Sequence, residues 1–114
     1  MLEKYRGFVI DENLDLPSTD KDIFMDTTVY TSTDFFEKGT PDDKIIDWLV
    51  ESKYILVTQD VRMSTYALLK DVPVLFISIS EKYVKLLITV DVDESEYMEL
   101  KQYFHRRLNF GSTA

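Results

Sequence analysis

Cysteine is absent from this 114-residue chain, and histidine occurs once. The first absence excludes disulfides, thiolate metal sites and a cysteine nucleophile. The second excludes any site built on several imidazoles. Metal chemistry here must use oxygen ligands, which favours magnesium or manganese over zinc. Glycine and proline number three each, so turns fall largely to Asp, Asn, Ser and Thr. No apolar run approaches the roughly 20 residues of a membrane span. The opening MLEKYRGFVI carries a short apolar run but no signal-peptide cleavage pattern. A cytoplasmic protein with no membrane association is the expectation. Basic charge is scarce as well, and the formal net charge is -8. That argues against a nonspecific duplex-binding protein, whose affinity comes mainly from Lys and Arg on phosphates. It leaves room for a nucleic-acid enzyme with a local basic face and an acidic metal site.

What remains is an ordinary globular composition, 45% apolar and 30% charged. The length suits a single domain over residues 1–114. There is no repeat, low-complexity segment or linker. Four short runs rich in β-branched or aromatic residues read as strands: 8–10, 28–31, 54–58 and 74–79. The third and fourth, YILVT and VLFISI, are nearly continuous apolar runs, the pattern of parallel strands covered on both faces.

Helical patterns lie between and after them. In TPDDKIIDWLVESK, Thr40 can cap a helix, Pro41 suits its first position, and Asp42 and Asp43 favour the positive end of its dipole. Ile45, Ile46, Leu49 and Val50 follow at helical spacing. Further helices are expected at 64–70, ended by Pro73, at 81–87, and at 94–109. The last carries Tyr97, Leu100, Phe104 and Leu108 on one face, which suits core packing or a homodimer seam. His105 sits beside Arg106 and Arg107 near its end, where a cationic surface is the default reading. Strands alternating with helices give an α/β sandwich with a mostly parallel four-stranded sheet. In such sheets ligands bind at the carboxyl ends of the strands.

The stretch FVIDENLDL sets the functional question. A buried strand runs directly into Asp11, Glu12 and Asn13. Adjacent like charges repel, and burying a carboxylate is costly unless it is paired or bound to a metal. Fold stability does not ask for this arrangement. Asp60 follows the third strand, and Asp42 and Asp43 open a helix on the side where strands end. Three distant stretches therefore bring carboxylates to one edge. Each acid also has a plainer reading. Asp42 and Asp43 serve as N-terminal helix charges, Asp60 as a turn former, Asp34 as a cap or turn residue, and Glu12 as a solvated or paired surface acid. Asn13 suits either a phosphate contact or a fixed loop. Thr58 is placed to orient a carboxylate or a water.

In these segments the chain resembles the PIN-domain ribonucleases, and most of all a small branch opening with a strand followed by Asp-Glu-Asn. The resemblance spans residues 8–79. VIDEN matches Asp11 to the first acid of the family's site. TPDDKIIDWLVESKYILVTQD resembles the acid-led helix, strand and Thr-x-Asp, matching Asp42 and Asp60, which are 60 - 42 = 18 residues apart. TSTDFF matches Asp34 to an acid often found eight residues ahead of the helical one (42 - 34 = 8). The resemblance implies a three-layer α/β/α sandwich. It implies magnesium or manganese on Asp11, Asp42 and Asp60, and cleavage of single-stranded RNA. Asn13, Thr58 and Arg62 would support the site or the substrate. Many members are toxins, which implies an antitoxin or other protein partner.

The sequence departs from the pattern after Asp60. Thr-x-Asp-x-Asp-Phe becomes TQDVRM, with Arg62 in place of an acid and Met63 in place of Phe. The glutamate of an early helix in longer members has no clear counterpart. A catalytically inactive PIN-like protein-binding module is therefore the alternative, favoured by Arg62 and the net charge. A receiver-like phosphoacceptor is a weaker third reading, because its acceptor Asp and partnering Lys are not convincingly placed.

Overall fold

The architecture follows from alternation along two strands that are buried throughout. The structure, a computed structural model, describes residues 5–12, 14, 23–24, 27–87 and 93–108. In β1 (Gly7–Ile10) and β4 (Tyr54–Thr58) every residue is buried, so each strand must be covered on both faces. Side chains alternate between those faces. Phe8, Ile10, Ile55 and Val57 enter one apolar cluster, while Val9, Tyr54 and Leu56 enter the other.

The two strands lie side by side and parallel, with Phe8 opposite Ile55 and Ile10 opposite Val57. β3 (Thr27–Thr31) adds parallel to β1, and β5 (Val74–Ser78) adds parallel to β4. The four expected strands are therefore the four parallel strands at the centre. An antiparallel strand extends each edge, β2 (Ile23–Phe24) against β3 and β6 (Tyr83–Leu87) against β5. The full order is β2-β3-β1-β4-β5-β6, six strands where four were expected.

Helices α1 (Asp42–Ser52) and α2 (Val61–Leu69) close one face, α1 through Ile45, Ile46 and Leu49 and α2 through Met63 and Ala67. Helix α3 (Glu94–Arg107) closes the other with Leu100 and Phe104, both fully buried. The Phe104 ring meets Phe8 edge to face at 5.8 Å. Leu108 packs against this cluster, whereas Tyr97 of the same stripe lies outside it, under the Lys101 ammonium. Asp93 and Glu96 form a capping box at its start, and His105, Arg106 and Arg107 occupy its last turn.

Three local expectations are corrected. Residues 81–87 form β6 and its turn, not a helix. Val84 and Leu87 satisfy a helical spacing, but burial alternates, with Val84 inward and Tyr83 and Lys85 outward, and this short apolar run is ambiguous by periodicity alone. Helix α2 begins at Val61 rather than Ser64, because Asp60 caps it. Thr40 does not cap α1. Its hydroxyl donates to the Glu37 carbonyl, and Pro41 occupies the N-cap position with extended backbone.

Gly7 is required by close approach. A Cβ there would collide with the backbone carbonyl oxygen of Thr28, its partner across the β1–β3 ladder. Backbone cannot yield as a side chain can. Gly7→Ala should therefore cost about 1–3 kcal/mol, as overpacking does. The melting temperature should fall by several degrees (about 4–8 °C per kcal/mol in a small domain). An unchanged melting curve would show that β3 accommodates the methyl group.

Candidate functional site

The chain's path places the carboxyl ends of β1 and β4 at a point where connections diverge. From β1 the chain moves outward to β3, whereas from β4 it moves to β5 on the opposite side. Such a switch point opens a crevice beyond the strand ends. Asp11 directly follows β1, and its N–H still donates to Val57 O at 2.8 Å, so the ladder holds it in strand alignment. Alternation then aims Asp11 and Thr58 toward the side of the sheet covered by α1 and α2.

Both residues are buried, Asp11 at 2% exposure and Thr58 at 0%. The Thr58 hydroxyl donates to Asp11 Oδ2 at 2.9 Å and accepts from the Asp60 N–H at 3.0 Å. One hydroxyl thus joins the acid after β1 to the turn after β4. This bond holds the Thr58 hydroxyl against the Asp11 carboxylate. Asp60 caps α2, its Oδ1 accepting from the backbone N–H groups of Arg62 at 2.8 Å and Met63 at 3.3 Å.

Asp42 is the first residue of α1 and lies on the exposed rim of the same edge. Its carboxyl is pushed above its ordinary value of 3.8, first by partial loss of hydration and then by the charges of Asp11, Asp60 and Glu12, while Arg62 acts in the opposite direction. Asp42 therefore feels the charges of both Asp11 and Asp60, with Arg62 opposing them. Asp42, Asp60 and Arg62, with Met63 and Tyr66, line a cavity of about 340 Å³.

Glu12 has a function the sequence did not suggest. Its carboxylate accepts from the Gly39 N–H, at 3.0 Å through Oε1 and 3.3 Å through Oε2. Gly39 adopts φ +88, a conformation that favours glycine. The bond ties the segment after β1 to the loop that delivers Asp42. A lone glycine three residues before an acid-led helix is the only sequence trace of it.

The remaining acids take their plainer readings. Asp34 Oδ2 accepts from the Thr31 N–H at 2.9 Å and closes a short 3-10 turn, Ser32–Asp34. Asp43 is exposed on the first turn of α1. Asn13 lies outside the described residues.

The donor set consists of hard carboxylate and hydroxyl oxygens in a field of excess negative charge, which suits magnesium or manganese. Among the described residues, no three of His, Cys, Asp or Glu form a group that could hold an ion as they stand. Asp11 and Asp60 are each turned toward a donor of their own, and like charges gain nothing by closer approach.

Comparison of the chain with models of protein families, with curated proteins and with solved structures gives no match in any of the three. Among the described residues no helix is long and apolar enough to cross a membrane.

Two outcomes follow from this geometry. Thr58→Val keeps the shape and removes the shared hydroxyl, leaving buried polar groups short of a partner. It should cost about 1–3 kcal/mol, read by denaturant titration, whereas Thr58→Ser should recover most of the loss. For Asp42 the folded pKa lies above the unfolded one. The folded chain therefore binds more protons through that window, and stability falls as pH rises from 3.8 through the raised value. Asp42→Asn should raise the melting temperature at pH 7 by no more than about 4 °C, the scale of a surface substitution. The gain should vanish below pH 3.8, where the carboxyl is protonated in both states. A fall at pH 7 would show that the α1 dipole outweighs the neighbouring carboxylates.

Proposed function

We propose that this protein is a PIN-like, metal-dependent endoribonuclease acting on single-stranded RNA. One observation carries the reading. The Thr58 hydroxyl joins the Asp11 carboxylate to the backbone of Asp60 at the switch point of a parallel sheet, and the charges of both acids act on Asp42 at the start of α1. The resemblance of VIDEN and TPDDKIIDWLVESKYILVTQD to the PIN pattern supplies the activity, and a three-layer PIN-like sandwich is the matching fold proposal.

Asp11, Asp42 and Asp60 would hold magnesium or manganese, which when bound activates water and offsets charge on a phosphate. The chain's own residues prepare the site. Thr58 fixes Asp11 by hydrogen bonding, and the Glu12–Gly39 bond fixes the loop that presents Asp42. Arg62 would pair with a phosphate oxygen across the cavity. Hydrolysis then joins a water oxygen to phosphorus and breaks one bridging P–O bond, with a proton passing to the leaving oxygen.

Arg62 also sets a limit. A two-metal site needs enough negative charge to offset two divalent ions about 3.5–4 Å apart, and here a cation lines the cavity. This same residue favours the second reading, a PIN-like protein-binding module without nuclease activity, with an antitoxin or similar protein as partner.

The decisive measurement is manganese-dependent cleavage of single-stranded RNA. Asp11→Asn should abolish it with the fold intact. Asp60→Asn should do so too, because Asn retains the helix cap while losing the charge. Calorimetry should find at most one tightly bound divalent ion per chain, and Arg62→Asp should tighten its binding. Wild-type protein that cleaves no single-stranded RNA and binds no divalent ion would sink the nuclease reading in favour of the binding module.

A further inference from the structure

A second cavity, of about 510 Å³, lies beside the acidic one. The two share the turn after β4. Asp60 and Arg62 face the first cavity, and Gln59 and Val61 line the second. The far wall of the second is the β5–β6 hairpin, through Phe76, Ile79 and Tyr83. The cavity's apolar lining is open to solvent on both walls: Val61 is 65% exposed, Ile79 42% and Tyr83 38%.

Phe76 and Tyr83 project on the side of the sheet closed by α1 and α2. Phe76 packs against the edge of that core cluster, as does Leu87 of β6, while Tyr83 remains exposed beside it. The two rings lie 6.3 Å apart at 39°, so they form an inclined aromatic ledge and not a closed core pair. Ser78 accepts from the Glu81 N–H at 3.2 Å and braces the hairpin turn that carries the ledge. Gln59, Ser78, Ser80 and the acid Glu81 supply the polar part of the lining. An apolar, aromatic pocket of this volume with a few polar groups is the usual form of a small-molecule subsite.

We infer that the cavity between Val61 and the Phe76–Tyr83 ledge is a nucleobase subsite that holds one base of the RNA strand whose phosphate lies at the acidic cavity. The inference rests on the nuclease reading for its ligand, but not on catalysis. Single-stranded RNA recognition commonly splays a base onto an aromatic face, and such stacking tolerates any base. It also answers the charge problem. With a net charge of -8, backbone attraction is weak, so affinity must come from another source. Stacking on the ledge provides it and sets which phosphate reaches Asp11, Asp42 and Asp60.

The test is binding of tetra-adenylate RNA to isotope-labelled protein in the presence of a chelator, followed by amide chemical shifts. The amides of Gln59, Val61, Phe76, Ile79 and Tyr83 should shift saturably. An abasic strand of equal length should leave them unmoved. Tyr83→Ala should weaken binding about tenfold, within the range of losing one base–aromatic stack, while Tyr83→Phe should retain it. Val61→Glu, on an exposed position of the opposite wall, should also weaken binding without touching the fold. Equal binding of the abasic strand, or wild-type affinity in both Tyr83→Ala and Val61→Glu, overturns the subsite. Shifts confined to residues 11, 42 and 60 overturn it and leave the nuclease reading standing. Conversely, base-dependent shifts in a protein that cleaves no RNA uphold the subsite and remove the nuclease reading.

Discussion

The side-by-side packing of β1 and β4 is the constraint on which the rest depends. Every residue of both strands is buried, so neither can slip in register without driving apolar side chains into the wrong layer. That fixed register puts Asp11 next to Thr58 where the two strands run out. The Thr58 hydroxyl then joins Asp11 to the backbone of Asp60. Core packing and the position of the acids are therefore parts of one arrangement.

Asp42 and Asp60 sit where helices begin, and this gives each a structural use besides any chemical one. A carboxylate at a helix N-terminus contributes roughly 0.3–1 kcal/mol through the dipole. Asp60 gains more through its two bonds to backbone N–H groups. Such favourable contacts offset part of the repulsion between neighbouring carboxylates, which adds to partial loss of hydration in raising the pKa of Asp42. Arg62 relieves some of it from within the same cavity. In this way a fold can keep an acidic edge without a fixed counter-cation at each carboxylate.

The sequence was legible where burial leaves one solution. The runs 54–58 and 74–79 are apolar throughout, and both became central parallel strands because only a doubly covered strand buries such a run. Ile45, Ile46 and Leu49 announced α1 by spacing. Reading failed where spacing fits two periods. Residues 81–87 pass for a helix until pairing with β5 shows that Val84 points inward and Lys85 outward. Likewise the pattern alone places the start of α2 three residues late, because an Asp after a strand serves a turn and a cap equally well.

Composition and pattern alone determined the class of chemistry open to this chain. Without cysteine and with one histidine, only oxygen ligands remain, and alternating strands and helices dictate an α/β sheet whose ends carry the acids. Tertiary structure alone decided which acids meet. Asp34 turned into a local cap on Thr31, Glu12 into a brace on Gly39, and Asp42 into a carboxyl that feels the charges of Asp11 and Asp60. It also produced the Phe76–Tyr83 ledge, which no motif foretells. The physical reason is the same in each case. Periodicity is a property of neighbours along the chain, whereas proximity between residues 11, 42 and 60 exists only once the strands have chosen their order.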